Sequence, residues 1–185
     1  MPLVLVKETG AGLANANSYA DAADGDAYHE GHLYATVWTA ATAENKAAAL
    51  VMASRLIDAT FRFNGFKTVA AQALQWPRRV CPDVDSDGLN GPGLVFVRDS
   101  FLPETAVPAA VVSATCELAR ELLVTDRTAS PAGEGLGVLR LEGAIRLDFD
   151  AKNPPPIVPR LVQTMLSKLG DYIFSKTGAV RLLRV

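Results

Sequence analysis

FRFNGFK at residues 61–67, QALQWPRR at 72–79 and the acidic turn DVDSDG at 83–88 form the most informative stretch of this sequence. The basic residues that alternate with its aromatics are Arg62, Lys67, Arg78 and Arg79. Such a mixture is typical of proteins that stack unpaired bases on aromatic rings beside a cationic groove. It is also typical of aromatics buried at the centre of a small helical domain. The choice between these interpretations decides what kind of protein this is.

Two helices are predicted before this stretch. Ser18 offers an N-cap oxygen and Asp21 completes a capping box, so a first helix is expected to run to about residues 29–30 and to stop at Gly31. Thr42 is the predicted cap of a second helix. The apolar stripe of that helix recurs at helical spacing and comprises Ala47, Leu50, Ser54, Ile57 and Phe61.

Two further helices are predicted after it. Pro108 and Pro159 suit the first turn of a third and a fourth helix, because proline lacks the N–H that would be unpaired there. The buried stripe of the third helix is expected at Val111, Ala114 or Thr115, Leu118 and Leu122. The apolar face of the fourth is expected at Val162, Met165, Leu166, Leu169, Tyr172 and Ile173.

A hairpin is predicted between the third and fourth helices. Residues 139–149 alternate between apolar and charged side chains, the pattern of strands with one buried face. An odd loop centred on Gly143 keeps the apolar residues on one face. The predicted opposite pairs are Leu141 with Ile145 and Leu139 with Leu147.

The expected fold is therefore mainly α, a small bundle of about four helices with that hairpin and an extended C-terminal arm. We expect a single domain over residues 1–185. Its parts are a helical core at 1–127 with a long loop at 62–103, the hairpin at 136–150, and the last helix and arm at 157–185.

Length, charge and motifs exclude several classes of function. The 185 residues suffice for one domain with a hydrophobic core. A net charge of −2 leaves no basic footprint over the whole surface, so any contact with DNA has to come from a local patch. Cys81 and Cys116 lack a CxxC spacing and are expected to be reduced, buried thiols. Without a GxSxG elbow or a Cys–His arrangement, we expect neither catalysis nor a cofactor.

The acidic loop at residues 83–88 is a candidate metal site. The candidate ligands are Asp83, Asp85 and Asp87. With Gly88 they match the opening of a calcium-binding loop, but Leu94 stands where that loop needs a glutamate. A polar turn with Asp side chains bonded to nearby backbone N–H groups is the other interpretation, and it is preferred.

His29 and His32 have no evident third ligand and are expected at the surface or at a helix cap.

The aromatic and basic stretch is consistent both with a nucleic-acid-binding surface and with a buried core. The candidate nucleic-acid-binding residues are Phe63, Phe66, Trp76, Arg78 and Arg79. In the alternative, Phe61 ends the buried stripe of the second helix and Trp76 fills the core, while the two arginines lie outside. Because aromatics bury a large area and the chain is acidic, the core interpretation is favoured.

Seven segments in a fixed order carry a family resemblance: ANANSYADAADGDAYH (14–29), Trp38, AALVMASRLID (48–58), FNGFK (63–67), QALQWPRR (72–79), DVDSDG (83–88) and VPAAVVSATCELA (107–119). Together they resemble a tailed-bacteriophage family catalogued as DnaT-like single-stranded-DNA-binding proteins. Related proteins of this size are head–tail connectors, also called adaptors or head-completion proteins. The resemblance covers most of the first two-thirds of the chain.

The resemblance implies a structural virion protein, which is our main hypothesis. Such adaptors form a ring, typically of twelve copies, in the neck between the portal and a stopper or tail-terminator protein, after assembly in the bacterial host cytoplasm. Genome DNA would pass through the lumen on ejection without specific binding. The C-terminal arm would dock on the portal, and its expected portal-binding residues are Tyr172, Phe174, Arg181, Leu182, Leu183, Arg184 and Val185.

Two other hypotheses remain. The alternative is a phage replication or recombination protein that coats single-stranded DNA through the five aromatic and basic residues named above. A calcium-dependent binding module built on the acidic loop is the third.

Overall fold

The computed structural model describes residues 3–85, 101–129, 138–141, 145–148 and 156–173. Within those ranges the chain is mainly helical, with five helices and three pairs of short antiparallel strands. The mainly α class is confirmed at this level. The expected bundle of about four helices is wrong, because a short helix is added and a strand replaces part of the fourth. No helix in the described part of the chain is long and apolar enough to span a membrane.

Helix α1 comprises Ala22–Glu30 and begins at a different cap from the predicted one. The Asp21 side chain accepts the Asp24 N–H, and the Asp24 carboxylate accepts the Asp21 N–H, which forms a reciprocal capping box. Ser18 is buried instead, and its hydroxyl donates to a backbone carbonyl two residues on. The predicted stop at Gly31 is confirmed.

Helix α2, Thr36–Thr39, is a single turn that was not predicted, because four residues are too few for a periodic signal. It places Trp38 in the core, with the indole N–H donating to Asp26 at 2.8 Å. Helix α3, Ala43–Thr60, starts at the predicted cap Thr42, whose hydroxyl accepts an N–H of the first turn at 3.2 Å. Members of its predicted stripe that are buried include Leu50, Ser54, Ile57 and Phe61.

Helix α4, Ala109–Val124, follows Pro108 as predicted and packs against both α3 and α5. Helix α5, Arg160–Leu166, follows Pro159 as predicted but ends earlier than expected. Buried residues of the two helices are Val111, Ala114, Thr115, Leu118, Val162 and Leu166. The predicted stripes are therefore confirmed up to Leu166.

Strand β1, Phe61–Phe63, pairs antiparallel with strand β6, Gly170–Tyr172. The helix expected to continue through Tyr172 is wrong, because the backbone there bonds to β1. Gly170 is required at the crossing, since a Cβ on it would lie 2.3 Å from the Arg62 carbonyl oxygen. Strands β2, Phe66–Lys67, and β3, Arg78–Arg79, form a second small pair.

Strands β4, Val138–Leu141, and β5, Ile145–Asp148, form the predicted hairpin. Its register pairs Leu139 with Leu147 and Leu141 with Ile145, which confirms both the odd connection and the predicted pairs. A shift of the register by one residue would place apolar side chains opposite charged ones, so the alternation of apolar and charged residues determines this register.

The hydrophobic core draws on helices α2 to α5 and on β1, and Tyr28 of α1 packs against it. Its largest buried side chains include Tyr19, Trp38, Leu50, Ile57, Phe61, Phe63, Trp76, Leu118 and Leu166. Phe61 and Phe63 stack at 5.8 Å between ring centroids, and Phe63 meets Trp76 edge to face at 5.6 Å. This aromatic centre lies beneath the chain segments that carry the basic residues.

Candidate nucleic-acid interface

A two-stranded ribbon, defined here as β2 and β3, carries the exposed part of the aromatic and basic stretch. Phe66 lies directly opposite Arg79, and Lys67 lies opposite Arg78. Opposed residues in an antiparallel pair project from the same face, with Cβ atoms about 5 Å apart. The Phe66 side chain is 65% exposed and Arg79 is also exposed. The ribbon therefore presents an aromatic ring and a guanidinium side by side to solvent.

The charge of Arg79 is not neutralised within the described ranges, where it makes no ion pair. Arg62, on the outward side of β1, is likewise exposed and unpaired among the described residues. Lys67 is half-buried, and its ammonium donates to a backbone carbonyl of the following loop at 3.2 Å. Two guanidiniums without ion pairs among the described residues thus lie on β1 and β3 of an otherwise slightly acidic chain.

Arg78 is only 8% exposed, which corrects the expectation that it lies outside the core. Its guanidinium donates to the carbonyl oxygens of Phe63 at 3.2 Å, Asn64 at 2.7 Å and Gly65 at 2.6 Å. It also donates to the main-chain and side-chain oxygens of Gln75, at 3.1 and 3.0 Å. Arg78 therefore ties the turn between β1 and β2 to the segment that leads into β3.

The turn itself needs a glycine. Gly65 has φ +72°, and a Cβ there would lie 2.3 Å from the carbonyl oxygen of Arg79. Only glycine adopts this conformation without strain and leaves room for the close approach of the two chain segments. The turn after β1 therefore depends on this glycine and on the buried arginine together.

A second polar cluster fixes the other side of the ribbon. The Tyr19 hydroxyl donates to the Asp58 carboxylate and accepts the N–H groups of Gln75 at 3.0 Å and Trp76 at 3.2 Å. Asp58 also accepts the Gln75 N–H at 3.0 Å. Burial raises the pKa of Asp58 from the ordinary 3.8 to about 6, against the opposing effect of these hydrogen bonds and of the charges of Lys67 and Arg78. Helix α3 is thereby bonded to the loop that leads into β3.

The structure separates the five candidate residues into two groups. Phe63 is 5% exposed and Trp76 is 0% exposed, and Arg78 is enclosed by carbonyls. These three support the ribbon from beneath, and stacking a base on either ring would require the core to open. Phe66 and Arg79 are accessible. Phe61 and Phe63 are two positions apart on one strand and both face the core. Phe66 follows the turn at Gly65 at an odd spacing from them, and this spacing is the only sign in the sequence that its ring faces solvent.

The acidic loop is described up to Asp85. Its turn interpretation has support, because the Asp85 N–H donates to the Asp83 side chain at 3.1 Å. The Asp85 carboxylate also pairs with Lys168 at 2.6 Å. Asp87 lies outside the described residues. Within the described part of the chain, no group of three His, Cys, Asp or Glu side chains is placed to hold a metal ion.

The two histidines and the C-terminal arm complete the candidates. His29 is 2% exposed, so its expected place at a surface or cap is wrong; its Nε2 lies 3.2 Å from the Cys116 carbonyl oxygen. His32 lies 3.7 Å from the buried Glu117 carboxylate.

Of the expected portal-binding residues, Tyr172 pairs with β1 and packs on Phe61, and residues 174–185 lie outside the described part.

Comparison with known proteins now gives the family. A family model described as "Putative DnaT-like ssDNA binding protein" matches residues 1–185. No match was found among curated proteins or among solved structures.

This match corrects the main hypothesis drawn from the sequence. The head–tail adaptor, its portal, stopper and tail-terminator partners, and DNA that passes without being bound are wrong, because the matched family is described by binding to single-stranded DNA. The family part of the resemblance is confirmed, and it extends beyond the first two-thirds of the sequence. The chain belongs, over its whole length, to the family of DnaT-like single-stranded-DNA-binding proteins.

Proposed function

We propose that this protein binds single-stranded DNA without catalysis, and that the ribbon is the contact surface. The observation that carries the proposal is the exposed Phe66 ring directly opposite the exposed Arg79 guanidinium. The ring stacks on an unpaired base, while the guanidinium binds an adjoining phosphate. Stacking of this kind contributes about 1–3 kcal/mol per base.

The rigidity of the ribbon supports this role. Five hydrogen bonds from Arg78 and the contacts of Gln75 with Tyr19 and Asp58 hold both strands before any ligand arrives. A preorganised surface loses less conformational entropy on binding than a loop that must be ordered. Phe66 is therefore presented on a fixed support, although the ribbon itself is short.

Selectivity for single strands follows from the same geometry. A duplex hides the faces of its bases in the stack, so Phe66 can reach only its backbone. An unpaired strand offers both a base face and a phosphate. Because Phe66 can stack on any base, this surface alone gives little sequence preference.

The low cation count sets the expected salt dependence. Arg62 and Arg79 together neutralise two phosphates, so these two arginines should contribute about −1.4 to the slope of log K against log salt concentration. Binding should be moderate, since the net charge of the chain is −2 and long-range attraction is weak.

The experiment is a fluorescence-anisotropy titration of labelled single strands at several salt concentrations, with unlabelled single-stranded and duplex competitors of equal length. The proposal expects saturable binding, a shallow salt slope and much weaker competition by the duplex. Equal competition by both forms, or no binding at low salt, would contradict it.

A further inference from the structure

A groove of about 630 Å³ lies between α5 and the β1–β6 pair. Its volume is within the range of small-ligand sites, about 300–1,000 Å³. Its lining includes Arg160, Gln163, Thr164, Ser167, Asp171 and Tyr172. None of these residues belongs to the ribbon.

The groove lies close to the ribbon along the chain. Gly170 on its wall pairs with Phe63, and the Asn64 N–H donates to the Leu169 carbonyl at 2.9 Å. From Phe63 the chain reaches Phe66 in three residues, a Cα separation of at most about 10 Å. A single strand bound at Phe66 can therefore extend into the groove.

Hydrogen bonding within the groove leaves it rich in acceptors. The Thr164 and Ser167 hydroxyls donate to carbonyls of their own helical turn, at 2.9 and 2.8 Å. The Gln163 amide donates to the Val158 carbonyl at 2.8 Å. The two hydroxyls, with their hydrogens engaged, offer lone pairs, and the Gln163 amide offers its oxygen and one remaining N–H. The exposed Asp171 carboxylate adds two more acceptor oxygens.

Arg160 provides the complementary charge. Its guanidinium is exposed and makes no ion pair with any described residue. Asp171 lies opposite Arg62 in the β1–β6 register. A bound nucleotide would therefore place its phosphates at Arg160 and Arg62 and its base edge toward Asp171. The Tyr172 ring, packed on Phe61 at 5.4 Å, supplies an aromatic wall for the base.

We propose that this groove holds one nucleotide of the strand that the ribbon binds, and that it favours bases with an exocyclic amino group. Carboxylate oxygens accept the N4 amino group of cytosine, whereas thymine carries an acceptor, O4, at the same position. The inference rests on the proposed single-strand binding and adds to it a subsite with base preference.

The test compares oligo-dC with oligo-dT of equal length, at pH 7.5, by anisotropy. These two pyrimidines differ at the group that Asp171 would contact. The wild-type protein should bind oligo-dC more tightly, on the order of five-fold. Asp171→Asn should bring the ratio close to one, because an amide can donate to thymine O4 as well as accept.

Charge and stacking variants separate the two sites. Arg160→Ala should weaken binding of both oligonucleotides and make the salt slope less steep by about 0.7. Arg55→Ala, which removes an exposed charge on α3 outside the groove, is the matched control and should change neither quantity. Phe66→Ala should weaken the binding of both oligonucleotides and preserve the ratio of the two affinities.

The failures are distinguishable. Equal wild-type affinity for the two oligonucleotides, or a dC preference that survives Asp171→Asn, overturns the groove assignment and leaves the ribbon proposal standing. Absence of binding to either oligonucleotide overturns both. Circular dichroism checks that each variant is folded. The ratio of the wild-type affinities for oligo-dC and oligo-dT tests the base preference without any substitution.

Discussion

Phe66 and Arg79 lie directly opposite each other on β2 and β3, and both side chains are exposed. The neighbouring Trp76 and Arg78, in the same stretch of sequence, are buried. The stretch is thus divided between an outer contact surface and an inner support.

Removal of the Phe66 ring should weaken binding without changing stability. Phe66→Ala loses a stacking contribution of about 1–3 kcal/mol, so the affinity for single strands should fall by about ten-fold. Phe66→Trp should retain binding, because it keeps an aromatic face. Val80→Ala is the control for loss of an exposed apolar side chain nearby. Unchanged affinity of Phe66→Ala, measured by anisotropy, would exclude this ring from the contact.

Trp76 should show the opposite behaviour. It is fully buried against Phe63, so Trp76→Ala should lower the free energy of unfolding by about 3–5 kcal/mol in urea denaturation. Trp76→Phe should cost much less, because it keeps an aromatic ring and removes an indole N–H that has no hydrogen-bond partner among the described residues. If Trp76→Ala were as stable as the wild type but failed to bind DNA, Trp76 would belong to the contact surface.

Much of the helical framework could be predicted from the sequence. Helices α3 and α4 carry strong stripes, and Thr42 and Pro108 mark their starts. The register of the β4–β5 hairpin follows from parity alone. These features depend on residues close together in the chain, where periodicity and capping chemistry are informative.

The ribbon and its support depend on distant contacts that local patterns do not show. The helical spacing of Leu169, Tyr172 and Ile173 predicts a helix where strand β6 lies, because the pairing of β6 with β1 joins residues about a hundred positions apart and leaves no local pattern. Adjacent Arg78 and Arg79 look alike in sequence, and only the surrounding carbonyl groups make one buried and the other exposed. The exposed half of the candidate site could therefore not be separated from the buried half in advance.

Arg78 should not be replaceable by lysine. A lysine cannot reproduce the planar fork that reaches the carbonyls of Phe63, Asn64 and Gly65 together. Arg78→Lys should therefore destabilise the protein by about 2 kcal/mol or more and speed hydrogen exchange of the Phe66 and Lys67 amides. Arg79→Lys is the matched control and should preserve stability. Unaltered exchange in Arg78→Lys would show that the ribbon is held by other contacts.

Asp58 should give the protein a specific dependence of stability on pH. Its pKa rises from 3.8 to about 6 on folding, so the folded state holds the proton more tightly than the unfolded state between these values. The contribution of Asp58 to stability is therefore most favourable below about pH 4, falls as the pH rises to 6, and is constant above that. The total change is at most about 3 kcal/mol.

Urea denaturation of wild type and Asp58→Asn at pH 4 to 7 isolates this contribution. The free energy of unfolding of the wild type, minus that of the variant, should decrease from pH 4 to 6 and then level off. A constant difference across this range would mean that Asp58 keeps its ordinary pKa. An increase with pH would mean that the carboxylate is stabilised on folding, the reverse of the expected direction.

A double-mutant cycle shows whether Phe66 and Arg79 bind a single strand together. Affinities of the wild type, Phe66→Ala, Arg79→Ala and the double variant are measured for one labelled oligonucleotide at low salt. Each single change should weaken binding, the double variant should bind at least about a hundred-fold more weakly than the wild type, and all four proteins should melt alike. Wild-type affinity in the double variant would contradict this joint binding.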